Sequence, residues 1–288
     1  MKFAALLTAL LTLSIAPRGQ AACGFQTALF DVPYDTQHAQ QVLDFFHPSP
    51  GAADPAPVAI WLPGGFSGLQ PATADPCQVP LLAAFLSRGF ALVLPDIRPS
   101  LTHPFPLPLF DGARIVQTVR HNAAAWNVDP QRVFLMARSS GGLVGGGVAF
   151  GLDFQGILGT DAVSLQSSRP NAVYLASAVS NVLALANTIE GTYFGQPTLA
   201  TVPDSAKQYG SPNWWAAVSP SVPIPTYLVY KGAIGTPPLA DSHDAWLGLD
   251  YGLTLLSRGA TVGFQYFPTG VDATNFDAVA TWFLTLFP

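Results

Sequence analysis

Apolar and polar positions along this chain fall into two alternating patterns. Short runs rich in Val, Ile, Leu and Phe, each bounded by Gly, Pro or Asp, are followed by longer segments in which apolar residues recur at helical spacing. The runs predict strands at Val58 to Leu62, Ala91 to Leu94, Arg132 to Ala137, Ala172 to Ala178, Thr226 to Tyr230 and Thr261 to Phe267, with an antiparallel opening near Phe25 to Val32 and Gln41 to Phe46. The segments between them predict helices at Val79 to Arg88, Asp111 to Trp126, Ser140 to Phe150, Asp244 to Ser257 and Ala273 to Leu286. Asp111 and Asp244 stand where an N-cap carboxylate meets the free amides of a first turn. Gly89 and Gly259 stand where helices stop. Strands alternating with crossover helices give the α/β class, with a mostly parallel central sheet and helices on both faces. Gly151 to Pro170 and Thr192 to Pro225 read as loop or cap insertions over the carboxyl end of the sheet, where such folds bind their substrates.

The first residues change the picture of compartment. Lys2, an apolar run from Phe3 to Ala16, and small residues up to Ala22 have the layout of a signal peptide over residues 1–22, leaving 23–288 as a single domain exported from the cell. Nothing later reaches the roughly 20 consecutive apolar residues that a spanning helix needs. The two cysteines, Cys23 and Cys77, both fall in the exported part, where a pair reads as a disulfide. Gln20 stands where lipoprotein cleavage sites carry Leu, against a lipid anchor at Cys23. Charged residues make up only 10% of the chain, and 12 Lys and Arg face 17 Asp and Glu, so the basic footprint of a nucleic-acid binder is missing. The 27 prolines and 19 phenylalanines suit fixed loops and an apolar or aromatic ligand.

Candidate chemistry begins at Arg132-Val-Phe-Leu-Met-Ala-Arg-Ser-Ser-Gly-Gly142, an apolar strand running directly into a Gly-rich helix start with Ser139 at the corner. A strand followed by such a turn and a helix is the context in which G-x-S-x-G has chemical meaning. Small residues are required around the serine because strand and helix backbones crowd there; Ala137 takes the first Gly position and Gly141 keeps the second. The competing explanation is a plain strand-to-helix turn with a capping serine. No G-x-G-x-x-G opens this turn and no Lys-Ser or Lys-Thr follows it, which argues against nucleotide binding by Gly141 to Gly147.

These segments resemble the esterase and lipase branch of the α/β-hydrolases, near the bacterial enzymes similar to hormone-sensitive lipase and to feruloyl esterases. Ile60-Trp-Leu-Pro-Gly-Gly-Phe-Ser67 is similar to their H-G-G-G-F oxyanion loop, with Leu62 and Pro63 in place of the His and first Gly. Val32-Pro-Tyr34 with Gln41 to Pro48, Asp96-Ile-Arg98, Asp111-Gly-Ala113, Arg120 to Ala123, Asn127 to Arg132 and Ser211-Pro212 also match family positions. The resemblance implies an α/β-hydrolase fold and hydrolysis of carboxylic esters, without metal or organic cofactor, through an acyl-enzyme on Ser139. It also implies an oxyanion hole built from the amides of Gly64, Gly65 and Ser140. Its substrates would be small apolar or aromatic esters, polyester fragments among them.

The same resemblance exposes two gaps. Where relatives carry the acid, this chain reads Lys231-Gly-Ala-Ile-Gly235, with Gly235 in the acid's place; where they carry the histidine, Pro268 to Phe276 contains none. A serine hydroxyl is a poor nucleophile without a nearby base. Of the five histidines, His38 and His47 read as surface or turn residues, and His121 lies on a helix. His103 opens a Pro-rich loop able to approach the site, and His243, in Asp241-Ser-His-Asp244, lies in the acid's own loop. His243 is the candidate base, and Asp272, in the loop that lacks its histidine, is the candidate acid. A non-catalytic relative that keeps the pocket for a small apolar ligand is the rival reading.

Overall fold

In the computed structural model, which describes residues 24–49, 55–65, 76–220, 223–268 and 274–287, eight strands form one sheet. They are β1 (Phe25–Pro33), β2 (Val42–Pro48), β3 (Ala56–Leu62), β4 (Ala91–Pro95), β5 (Val128–Arg138), β6 (Ala172–Ala176), β7 (Thr226–Lys231) and β8 (Val262–Phe267). Their spatial order is β1-β2-β4-β3-β5-β6-β7-β8; the first two pairings are antiparallel and all the others parallel. The helices are α1 (Pro80–Ser87), α2 (Leu107–His121), α3 (Ala123–Trp126), α4 (Gly141–Phe150), α5 (Asp204–Tyr209), α6 (Pro212–Val218), α7 (Ala245–Ser257) and α8 (Phe276–Leu286).

The central strands are apolar without alternation because both faces of the sheet are covered. Every residue of β3 is buried, whereas edge strand β8 is mostly half-exposed. One face packs against α2, α4 and α7 through residues such as Ile60, Leu135, Val144 and Leu255; the other packs against α1 and α8 through Phe85, Phe134, Tyr174 and Phe283. Helix α4 is buried on every side, which its Gly-rich, uncharged sequence permits.

Each predicted strand and helix has its counterpart, with instructive shifts at the ends. Asp111 does not cap a helix. Helix α2 begins four residues earlier at Leu107, and the Asp111 carboxylate is buried inside it, taking Arg98 Nη2 at 2.7 Å, the Arg98 amide at 2.9 Å and Gln41 Nε2 at 2.9 Å. Two segments singled out by family likeness, Asp96-Ile-Arg98 and Asp111-Gly-Ala113, are therefore partners in one buried ion pair, and removing one member of such a pair costs about 3–5 kcal/mol. The helix expected to run to Trp126 is interrupted at Asn122, whose side chain bonds back to Thr118 O. Strand β6 stops at Ala176 because Ser177 takes a left-handed φ of 43°. The stretch from Thr192 to Pro225 is not loop alone but holds α5 and α6. Asp244 does cap α7, and Gly89 and Gly259 follow their helices at φ 84° and 79°. The expected signal segment and Cys23 lie outside the described residues, as do Ala273, where the last helix was expected to start, and Asp272.

Candidate active site

The corner between β5 and α4 consists of Ser139 and Ser140. Ser139 sits at φ 54°, a left-handed conformation that costs a non-glycine residue about 1–3 kcal/mol and persists only where neighbours over-determine it. Three backbone hydrogen bonds do so. The Ser139 amide donates to Ala176 O at 3.2 Å, and its carbonyl accepts from Gly142 at 2.9 Å and Val179 at 3.1 Å. Crowding does the rest: a Cβ on Gly141 would collide with the carbonyl oxygens of Leu62 and Pro63, and one on Gly64 would lie 2.7 Å from Ser139 Cβ. The loop after β3 is thus packed directly against the serine. Its Gly65 amide donates to Ser140 Oγ at 2.8 Å, so of the three expected oxyanion donors this one is already engaged by a side chain.

On the far side of the serine, His243 Nε2 lies 2.6 Å from Ser139 Oγ, within range for proton transfer. His243 belongs to the loop between β7 and α7. Asp241 Oδ1 accepts from the His243 backbone amide at 2.8 Å and lies 3.4 Å from its Nδ1. The His243 and Asp241 side chains are 47% and 70% exposed, so this half of the site meets solvent. The absence of an acid at residue 235 has a steric explanation. Asp244 Oδ1 accepts from Gly235 at 2.9 Å and from Trp246 at 2.8 Å, and any side chain at 235 would strike that carboxylate. The helix cap fills the space that a side chain at residue 235 would need.

A cleft of about 670 Å³ opens over the ends of β3, β5, β6 and β7, lined among others by Trp61, Arg138, Ser139, Ser177, Lys231 and His243. The remaining histidines are elsewhere. His103 stacks edge-on with His38 at 4.7 Å and contacts Thr102, and His121 ends α2. His47 is not a surface or turn residue but buried in β2, its ring meeting Asn127 O and Gln26. Sequence reasoning passed over Arg138, Ser177, Lys231 and Asp241. Arg138 and Lys231 carried a signal, as charges ending otherwise apolar strands on the ligand-binding side of such a sheet. Asp241 carried another, since an Asp two residues ahead of a backbone amide commonly accepts from it. Nothing local marked Ser177. Beneath it, burial pushes the Tyr230 phenol well above its ordinary range, so it remains a neutral donor, bonding Ala178 O at 2.7 Å.

The family model named BD-FAE, an esterase family of the α/β-hydrolases, matches residues 43–188, a stretch that holds Ser139 and the glycine loop. The chain belongs to the BD-FAE family. That family places the chain among esterase-type hydrolases, and solved structures share its fold. It is similar to a truncated carbohydrate esterase from gut microbiota, with TM-score 0.74 and 20% identity over 93% of this chain and 99% of that one. An acetyl ester-xyloside bifunctional hydrolase from Caldicellulosiruptor lactoaceticus gives 0.67 and 19% over 85% and 88%. A propionate-bound esterase from the planctomycete Thermogutta terrifontis gives 0.61 and 16% over 92% and 93%. No curated protein sequence matches the chain. Among the described residues, no helix is long and apolar enough to cross a membrane.

Proposed function

We propose that this BD-FAE member hydrolyses carboxylic esters through an acyl-enzyme on Ser139, with His243 as base and Asp241 as its orienting carboxylate. The 2.6 Å contact between Ser139 Oγ and His243 Nε2 carries the reading. Ser139 Oγ attacks the acyl carbon as its proton passes to Nε2, and the carbonyl oxygen becomes an oxyanion facing the Gly64 and Ser140 amides. Collapse expels the alcohol, which takes the proton from His243; a water molecule, deprotonated by the same imidazole, then releases the acid and restores the serine. Gly65 supports the oxyanion by holding the loop through Ser140 Oγ. Trp61 and Pro63 offer an apolar wall to a small acyl or aryl group, consistent with apolar or aromatic esters as substrates. A relative retained only for ligand binding has no need of a histidine held against a strained serine.

The test is hydrolysis of short p-nitrophenyl esters by the chain and by Ser139→Ala. The expected loss is about 10⁴-fold or more in kcat, as for removal of a serine nucleophile elsewhere; unchanged turnover would remove Ser139 from the mechanism. Export, with residues 1–22 as a signal and a Cys23–Cys77 disulfide in a single domain of residues 23–288, belongs to the same proposal. Its check is an N-terminus at Cys23 and a two-proton mass difference on reduction of the secreted protein.

A further inference from the structure

The cations of this acidic chain are almost all committed. Lys2 and Arg18 aside, ten Lys and Arg remain, and eight of them hold a carboxylate, a carbonyl or another acceptor. The other two are Arg138 and Lys231, whose side chains take no hydrogen bond or ion pair among the described residues, and both line the cleft beside Ser139.

Sheet register brings them to the same side. Arg138 is level with Ala176 and Ala176 with Val229, two residues before Lys231. Level residues of neighbouring strands point to one face and alternate along each strand, so Arg138 and Lys231 share a face. Trp61, level with Met136, shares it too. The two strands are separated by one other, about 10 Å in all, a gap that two long side chains close from either end. The anion nearest to hand does not fill it. Asp241 is engaged with His243 and forms no ion pair with either cation. In a chain with net charge −5, two unpaired cations at the mouth of a reactive cleft form a local positive field that would draw in and orient an anion.

We propose that Arg138 and Lys231 form a carboxylate-binding subsite, so that the ester taken by this cleft carries a free carboxylate apart from its reacting acyl carbon. The inference rests on ester hydrolysis through Ser139 and narrows its substrate class. Guanidinium and ammonium supply charge-assisted hydrogen bonds to the carboxylate, and Trp61 supplies an apolar wall for the chain or ring that joins it to the ester. Half-esters of dicarboxylic acids and acyl esters of acidic alcohols share this chemistry, the first with the charge on the acyl side and the second on the alcohol side.

The experiment compares kcat/KM for two matched pairs. Mono-4-nitrophenyl adipate against 4-nitrophenyl hexanoate reads the acyl side; 4-carboxyphenyl butyrate against its methyl ester reads the alcohol side. At least one anionic ester is expected to be favoured by about tenfold at low salt, and the preference should shrink at high salt through screening. The Arg138→Gln/Lys231→Gln variant, confirmed folded by its thermal transition, should bring that ratio close to one. A wild-type ratio near one in both pairs, or a ratio that the double variant leaves standing, overturns the subsite while hydrolysis of the neutral esters still upholds the serine mechanism. Calorimetric binding of monomethyl adipate and of 4-carboxyphenyl butyrate to Ser139→Ala separates the opposite failure. Binding that weakens about tenfold on removal of both cations supports the subsite even without turnover, and no binding at all overturns it.

Discussion

The two halves of the site are built differently. The serine half is held from every side: backbone hydrogen bonds from α4 and from the turn after β6 fix Ser139, and the loop after β3 leaves no space for a side chain at Gly64 or Gly141. The histidine half hangs from the loop between β7 and α7, with His243 and Asp241 both substantially exposed and their mutual contact at 3.4 Å. Packing fixes the nucleophile, and local hydrogen bonds at the surface fix the base. Leu239 ties the loop to the core, buried and exchanging backbone hydrogen bonds with Ala184 and Ala186, while the stretch from Asp241 to His243 beyond it is open to solvent and can change without rebuilding that core. The serine corner cannot move, since two strands and a helix meet there.

Substitutions in the two halves should therefore fail in different ways. His243→Gln is expected to lower kcat/KM by about 10³-fold while shifting the thermal midpoint by no more than about 1 °C, because the ring is half-exposed and bears no packing. A loss smaller than about tenfold would place the base elsewhere. Gly141→Ala should do the reverse, destabilising the chain by about 3 kcal/mol through overpacking against the Leu62 and Pro63 carbonyls and lowering the midpoint by about 8 °C. A midpoint equal to the wild type would show that the corner has room to give. Asp241→Asn should cost about tenfold in kcat with little change in stability, since an exposed carboxylate orients its histidine only modestly. The same substitution at Asp272, outside the described residues, is the control, and a larger loss there would move the orienting role from Asp241 to Asp272. The smallest effect is expected for Tyr230→Phe, about 1 kcal/mol in denaturant unfolding, from loss of one buried hydrogen bond to Ala178 O.

The glycine loop was marked by family resemblance, whereas sequence pattern alone sufficed for the fold class, the strand and helix order and the serine corner. Those features rest on short-range rules: apolar runs covered on both faces, helical periodicity, and the small residues that a tight strand-to-helix passage demands. Ends of elements were less legible. Asp111 has the chemistry of a cap, yet burial beside Arg98 makes it the anchor of an ion pair, and no local signal distinguishes the two roles. His47 failed for a similar reason: it directly follows the strand expected to end at Phe46 and precedes Pro48, and nothing local reveals the contacts with Gln26 and Asn127 that bury it.

Pairing across the cleft belonged to the tertiary structure. His243 and Ser139 stand 104 positions apart, and nothing in the spacing of five histidines says which ring reaches the serine; only the folding of the β7–α7 loop over the carboxyl ends of the strands brings Nε2 to 2.6 Å. Gly235 likewise marked where an acid was absent, but not that the Asp244 carboxylate fills the space a side chain there would need. The division has one physical cause. Local composition decides how a segment folds, because the relevant energies act between residues a few positions apart, whereas the partners of a reactive group are chosen by sheet register and loop closure, which depend on the whole chain at once.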